Sequence, residues 1–231
     1  QAFMDKHIYP REHDWHEWCL DQDNLWVTPP WFDELRELAK AEGLWNLFLP
    51  REYAPWSPGL SNVEIAPLFE TMSKVLWAQP VFNCNAPDRG NMEVLAKYGT
   101  EAQQKQWLDP LLAGEIRSAY AMTEPQVASS DATNMELEIT RDGDEYVLNG
   151  RKWWTTGAIN PRCKVMLVMG KSNPENPRHR QHSTILVPRD TPGITLVRPL
   201  RVFDSLHSPG GEAELLFENV RVPVTNMIKG E

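Results

Sequence analysis

The sequence is poor in cysteine, and its three cysteines form no pattern. Cys19, Cys84 and Cys163 lie far apart and without metal-ligand spacing. That excludes a disulfide framework and points to a reducing compartment. A basic stripe is also missing. The net charge is −9, so no nucleic-acid partner is expected. No apolar run approaches the ~20 residues that a membrane-spanning helix needs, and no signal peptide is visible. A cytoplasmic setting is therefore expected, or an organelle matrix if the source is eukaryotic. Internal repeats and low-complexity segments are absent. No metal site is expected either. His13 and His16 stand at i, i+3 near His7, but no third ligand is well placed. The chain starts at Gln1 without a methionine and stops at Gly230-Glu231, which suggests a fragment or a processed product.

What is present is ample core. The chain has 231 residues and 41% hydrophobic content, enough for one large domain or two small ones. The first half reads as helical. Residues 1 to about 19 carry Phe3, His7, Trp15 and Trp18 among charges, with Pro10 set to kink or split the segment. Trp31, Leu35 and Leu38 recur at helical spacing, and Gly43 is a fair stop. Ser61 to Glu64 fits a capping box opening a helix to about Ala78, with Val63, Pro67, Phe69, Met72 and Leu76 on its apolar side. A further helix carries Met92, Leu95 and Ala96 and ends near Gly99. Thr100 to Gln103 is a second capping box, ahead of Trp107, Leu111 and Leu112. The ten tryptophans could suggest a sugar-binding surface, but their helix-face positions read mainly as core.

From about Ile116 the period falls to two. Candidate strands are 116–123, 135–141, 145–149, 151–156, 164–169, 183–188, 194–198 and 213–218. Asp142-Gly143, Asn149-Gly150 and Pro192-Gly193 mark turns. Residues 171–182 are polar and read as an exposed loop. Its basic cluster Arg178, His179 and Arg180 could meet a phosphate, though a solvated loop explains it more simply. The expected class is α+β: an all-helical unit over 1–115, then an antiparallel β-barrel over 116–231.

Two stretches carry the chemistry. Tyr120-Ala121-Met122-Thr123-Glu124-Pro125 is a strand end, because Pro125 has no N–H to continue pairing. The loop beyond it, through Ser129, Ser130 and Asp131, is small and hydroxylated, a natural floor for a flat, polar-edged ring. Asn149-Gly150-Arg151-Lys152-Trp153-Trp154-Thr155-Thr156 reads as a hairpin turn and a strand. Alternation puts Trp154 and Thr156 on one face, an aromatic plate beside a hydroxyl.

Together these stretches resemble the flavin-binding signatures of the acyl-CoA dehydrogenase family: its Tyr/Phe-Ala-x-Thr-Glu-Pro loop and its Asn-Gly-x-Lys-x-Trp-x-Thr strand. The Trp-Trp pair and the run from Val127 to Asn134 resemble most the branch holding family members 10 and 11. The resemblance covers nearly the whole chain but only the first two of the family's three domains. It implies an FAD cofactor and oxidation of a fatty acyl-CoA thioester between its α- and β-carbons. It also implies an electron-transfer flavoprotein as acceptor, and a homo-oligomer when the third domain is present. By position, Thr123 with its neighbours Tyr120 and Met122 would hold the pyrimidine edge of the ring. Thr156 would hydrogen-bond near flavin N5, Thr155 would belong to the cofactor site, and Trp154 would pack on the ring. Ser129 or Ser130 takes the family's serine role, Ser130 also contacting acyl-CoA.

The departures leave alternatives open. In the family the third domain supplies the catalytic carboxylate, so no catalytic residue is nominated. Glu212 stands where the family often has a histidine. Nothing here resembles the kinase-like region found upstream in members 10 and 11. An acyl-CoA oxidase and a non-catalytic FAD- or acyl-CoA-binding module remain alternatives.

Overall fold

A computed structural model describes residues 1–21, 23, 25–206 and 210–229. The helical half begins as two short turns, Met4–Ile8 and Tyr9–Arg11, before α1 (Glu12–Leu20). The segment is split around Pro10, whose ring cannot continue a regular helix. The next helix, α2 (Trp31–Ala41), buries Phe32, Leu35 and Ala39. It ends in a Schellman motif: Leu44 N donates to Ala39 O and Gly43 N to Lys40 O, with Gly43 at φ 69°.

Helix α3 (Asn62–Met72) opens on the expected capping box. Glu64 N donates to Ser61 Oγ at 3.4 Å, and Ser61 N donates to Glu64 Oε2 at 2.8 Å. Two expectations fail here. The helix stops at Met72 rather than near Ala78, and its apolar side is as expected at Phe69 and Met72 but not at Val63 and Leu76. Val63 and Leu76 are exposed, whereas Ile65 and Met72 are buried. Leaving the helix after Met72 lets Val75, Trp77 and Ala78 all enter the core, which a continuing helix would spread around its circumference. Helix α4 (Asp88–Tyr98) follows. A second capping box at Thr100 and Gln103 then starts a run of α5 (Glu101–Gln103), a wide turn at Gln104–Leu108 and α6 (Asp109–Ala113).

The second half is a curled seven-stranded sheet, with strands β1 (Arg117–Ala121), β2 (Glu138–Asp142), β3 (Glu145–Thr156), β4 (Cys163–Lys171), β5 (His182–Pro188), β6 (Ile194–Leu200) and β7 (Glu212–Pro223). Its order is β1-β4-β2-β3-β7-β6, with β5 on β4. The pairing is antiparallel except that β1, and one residue of β2, run parallel to β4. This is the expected α+β architecture, helices and then the barrel-type sheet, which is here a curled half-barrel with a parallel pair. Two apolar clusters result. One lies within the sheet half and includes Leu137, Leu148, Val168 and Phe217. The other joins the helices to Val165, Leu167 and Leu186.

The Asn149-Gly150 turn is not there. Strand β3 runs unbroken through it, and the hairpin is made at Asp142 and Glu145 instead. Gly150 has φ 149°, and a Cβ on it would come within 2.9 Å of Leu137. The glycine serves close packing, not chain reversal. The tryptophans are core-lining rather than core: only Trp77 is fully buried, and Trp154 is exposed.

Candidate functional site

The start of β1 is fixed from the helical side. The buried carboxylate of Asp88, on the first turn of α4, accepts from Ser118 N and Ser118 Oγ, both at 2.6 Å, and pairs with Arg117 Nε at 2.8 Å. Asn91 Nδ2 donates to the same serine hydroxyl. Beyond Ala121 the chain leaves the sheet. Ser129 Oγ accepts from Glu124 N at 2.8 Å and staples the loop onto itself.

The deeper fastening is an ion pair that sequence reasoning missed. Lys152 Nζ lies 2.8 Å from Glu124 Oε1, the two side chains being 0% and 3% exposed. Lys152 also donates to Met122 O at 2.7 Å. The Glu124 carboxylate takes Leu137 N at 2.9 Å and Glu136 N at 2.7 Å. Both buried charges are thus hydrogen-bonded, as burial demands. Burial depresses the Lys152 ammonium below its usual pKa, and the Glu124 carboxylate pulls the other way. A signal was available: strand parity sets Lys152 on the same face as the buried Tyr146 and Leu148. A charge on that face needs a partner.

One residue past Lys152 the strand bulges. Lys152 pairs with Leu215, but Thr155 pairs with Ala213, so β3 carries one residue more than β7 there. Trp154 takes the left-handed conformation, φ 51°. The extra residue leaves Lys152 and Thr155 both pointing in, and Trp154, 41% exposed, pointing out. The two indoles sit 5.9 Å apart, and Trp153 N donates to Thr123 O at 2.9 Å. That bond joins the loop mouth to the tryptophan strand. Thr156 Oγ1 donates to Glu212 Oε2 at 2.7 Å.

The structure therefore brings together Thr123, Trp154 and Thr156 along one rim. Met122 contributes its carbonyl to Lys152. Ser130 is exposed and Thr123 half-buried. Ser129 spends its hydroxyl inside its own loop. Thr155 points inward, its hydroxyl without a partner. Tyr120 packs toward the helices, its hydroxyl 3.9 Å from Met169 Sδ. An outward aromatic plate beside hydroxyls suits a flat ring with polar edges, and the buried Trp153 Nε1 is a further donor without a partner. The residues present fit a flavin. Among the described residues no group of three or more His, Cys, Asp or Glu could hold a metal ion, and no helix is long and apolar enough to cross a membrane.

A helical half leading into a curled sheet is the plan of the acyl-CoA dehydrogenases. Residues 1–115 match the model of the acyl-CoA dehydrogenase N-terminal domain, and 119–220 match that of the middle domain; the chain belongs to that family. Within it the chain is similar to acyl-CoA dehydrogenase family member 11 of Gallus gallus, 54% identical over all of this chain and 30% of the relative. It is also similar to family member 10 of Mus musculus, 52% identical over 99% of this chain and 22% of the relative. A solved structure from Mycobacterium abscessus, named provisionally as an acyl-CoA dehydrogenase, superposes with a TM-score of 0.93. It is 49% identical, over 99% of this chain and 58% of that one. The chain thus spans less than a third of these two curated relatives.

Proposed function

We propose that this chain forms the flavin-facing floor and wall of an FAD-dependent acyl-CoA dehydrogenase, with residues 1–115 and 116–231 as its two domains. The observation that carries the proposal is the Trp154 bulge, which turns an aromatic plate outward beside Thr156 and ties the strand to Thr123. When bound, the flavin supplies the hydride-accepting chemistry. The chain's own part is to orient the ring. Trp154 backs it, Thr156 stands at its reacting edge, and the Thr123 mouth, flanked by Tyr120 and Met122, meets its polar edge. Exposed Ser130 is the residue assigned to acyl-CoA contact, and Ser129 shapes the loop that presents it. Donors along that edge favour the charge that reduction adds. The proposal includes an electron-transfer flavoprotein as acceptor, a homo-oligomer, and a cytoplasmic or organelle-matrix setting.

A second proposal, of a binding module without turnover, is favoured by one observation. Glu124 is tied up by Lys152, and Glu212 accepts from Thr156, so neither offers itself as a base. The test is anaerobic titration of the protein, expressed from its full reading frame and loaded with FAD, with a saturated acyl-CoA. Bleaching of the flavin absorbance is the expected result. Flavin binding without bleaching would favour the module, and failure to take up FAD would remove the dehydrogenase and the flavin-binding form of the module.

A further inference from the structure

A cavity of about 220 Å3 lies where the N-terminal helices meet the start of β1 and the β3–β4 connection. It shares no lining residue with the Thr123–Trp154–Thr156 rim. Its walls are aromatic, with Trp15, Trp18, Trp26 and Trp77 among them, and its charged lining is arginine: Arg36, Arg117 and Arg162. The rim is held by main-chain contacts. Trp26 Nε1 donates to Leu206 O, and Asn160 Nδ2 to Trp26 O.

The charges do not balance. Among the described residues, three guanidinium groups face two carboxylates, Asp33 and Asp88. Asp33 pairs with Arg36 but is 72% exposed. Asp88 is buried and already holds Arg117, Asn85 and both Ser118 donors. Arg162 has a carbonyl, Gly114 O, which it shares with Arg36. Arg36 is 6% exposed, yet its buried Nε has no partner. Burial pushes the Arg162 guanidinium below its ordinary range, and Arg36 and Arg117 push it the same way. Cations held out of water with too few carboxylates and with donors left over are costly, and an anion that arrives with its own apolar body relieves that cost.

The geometry points to a binding site for a small apolar carboxylate: its head on the Arg36 and Arg162 guanidiniums, its flat or alkyl body among the tryptophans. One uncompensated positive charge calls for a monoanion rather than a phosphate dianion. A guanidinium fork matches a carboxylate, and indole walls take a planar body. The volume falls below the ~300–1,000 Å3 of pockets for drug-sized ligands, so an acyl-CoA is too large. The site is independent of the flavin proposal.

The test uses 2-naphthoate, read by quenching of tryptophan fluorescence and by calorimetry. Saturable one-site binding is expected, at least ten-fold tighter than for uncharged naphthalene-2-methanol. Arg162→Gln should weaken naphthoate at least ten-fold with little change for the alcohol, and Arg162→Lys should fall between. Thermal melts report whether each variant folds, and the wild-type comparison of acid with alcohol decides even if neither does. Absence of saturation, equal affinity for the alcohol, or a folded Arg162→Gln variant binding as wild type would overturn the assignment. Inorganic phosphate competing as well as naphthoate would overturn the apolar half of the site.

Discussion

Two bulges interrupt the ladder between β3 and β7, and they differ in what they cost. At the first, Leu148 pairs with Val220 and Gly150 with Phe217, so the extra residue lies on β7. It is accommodated at Asn219, φ 53°, whose N–H donates to the Asn149 side chain at 2.8 Å. Asparagine tolerates the left-handed region, and glycine opposite admits Leu137. At the second, the extra residue is on β3, and the left-handed position is filled by tryptophan, for which it costs roughly 1–2 kcal/mol. The first bulge uses residues suited to it. The second carries strain, and the return is the outward indole of the candidate site. The two offsets are opposite in sense, so the strands are in step again beyond them.

Changes around the second bulge should separate support from function. Lys152→Met leaves Glu124 buried without its cation. Stability should fall by about 3–5 kcal/mol by denaturant titration, with much of it recovered in the Lys152→Met, Glu124→Gln double variant. Thr156→Val, on the same strand but facing the rim, loses only the part-buried hydrogen bond to Glu212 and should cost about 1–2 kcal/mol of stability. It should slow flavin reduction in the full-length enzyme by about 2–4 kcal/mol of barrier, read by stopped flow. Equal reduction rates would remove Thr156 from the reacting edge.

At the first bulge the expected outcome is structural only. Gly150→Ala drives a methyl onto Leu137 and should lower stability by about 1–3 kcal/mol in a thermal melt, without an independent effect on flavin reduction in the folded fraction. Trp154→Gly should do the reverse. Relief of the left-handed backbone roughly offsets the ~0.5–1 kcal/mol entropic cost of glycine. Stability should therefore hold or rise by about 1 kcal/mol while FAD affinity falls. A destabilised Trp154→Gly protein would show that the two bulges are alike.

The smallest effect concerns Glu214, directly across β7 from the second bulge. It lies between Arg198 Nε at 2.6 Å and Arg151 Nη2 at 2.7 Å, covered by their side chains. The Arg198 hydrogen bond, with Arg151, holds its carboxyl below the ordinary carboxylate range. The unfolded chain therefore binds the proton first. The pair's contribution is present above the unfolded value of about 4.3 and is lost as pH falls through the lower folded value. The melting-temperature gap between wild type and Glu214→Gln should be open at neutral pH and close in acid. A gap that persists after protonation would mean packing rather than charge.

Much of the helical half was legible because its signals are local. Both capping boxes and the Gly43 stop act within one turn of chain, and amphipathic spacing placed α2 and α4. The end of α3 was not legible, because the burial of Val75, Trp77 and Ala78 is decided by what lies opposite them. In the sheet half, alternation found all seven strands but split β3 in two and ended β7 five residues early, and Asn149-Gly150 has the local chemistry of a turn yet sits inside a strand. Leu137, Phe217 and Asn219, all distant in sequence, overrule it.

The sequence by itself determined the order of helices and strands, the mouth at Thr123 and the family signatures, since these depend on residue type at short spacing. Tertiary structure alone decided that Lys152 and Glu124 form one buried pair and that Ser129 staples its own loop. It also decided that Trp154 turns out while Thr155 turns in. Those outcomes hang on one extra residue in a ladder, and a ladder's register is set by the strand across from it.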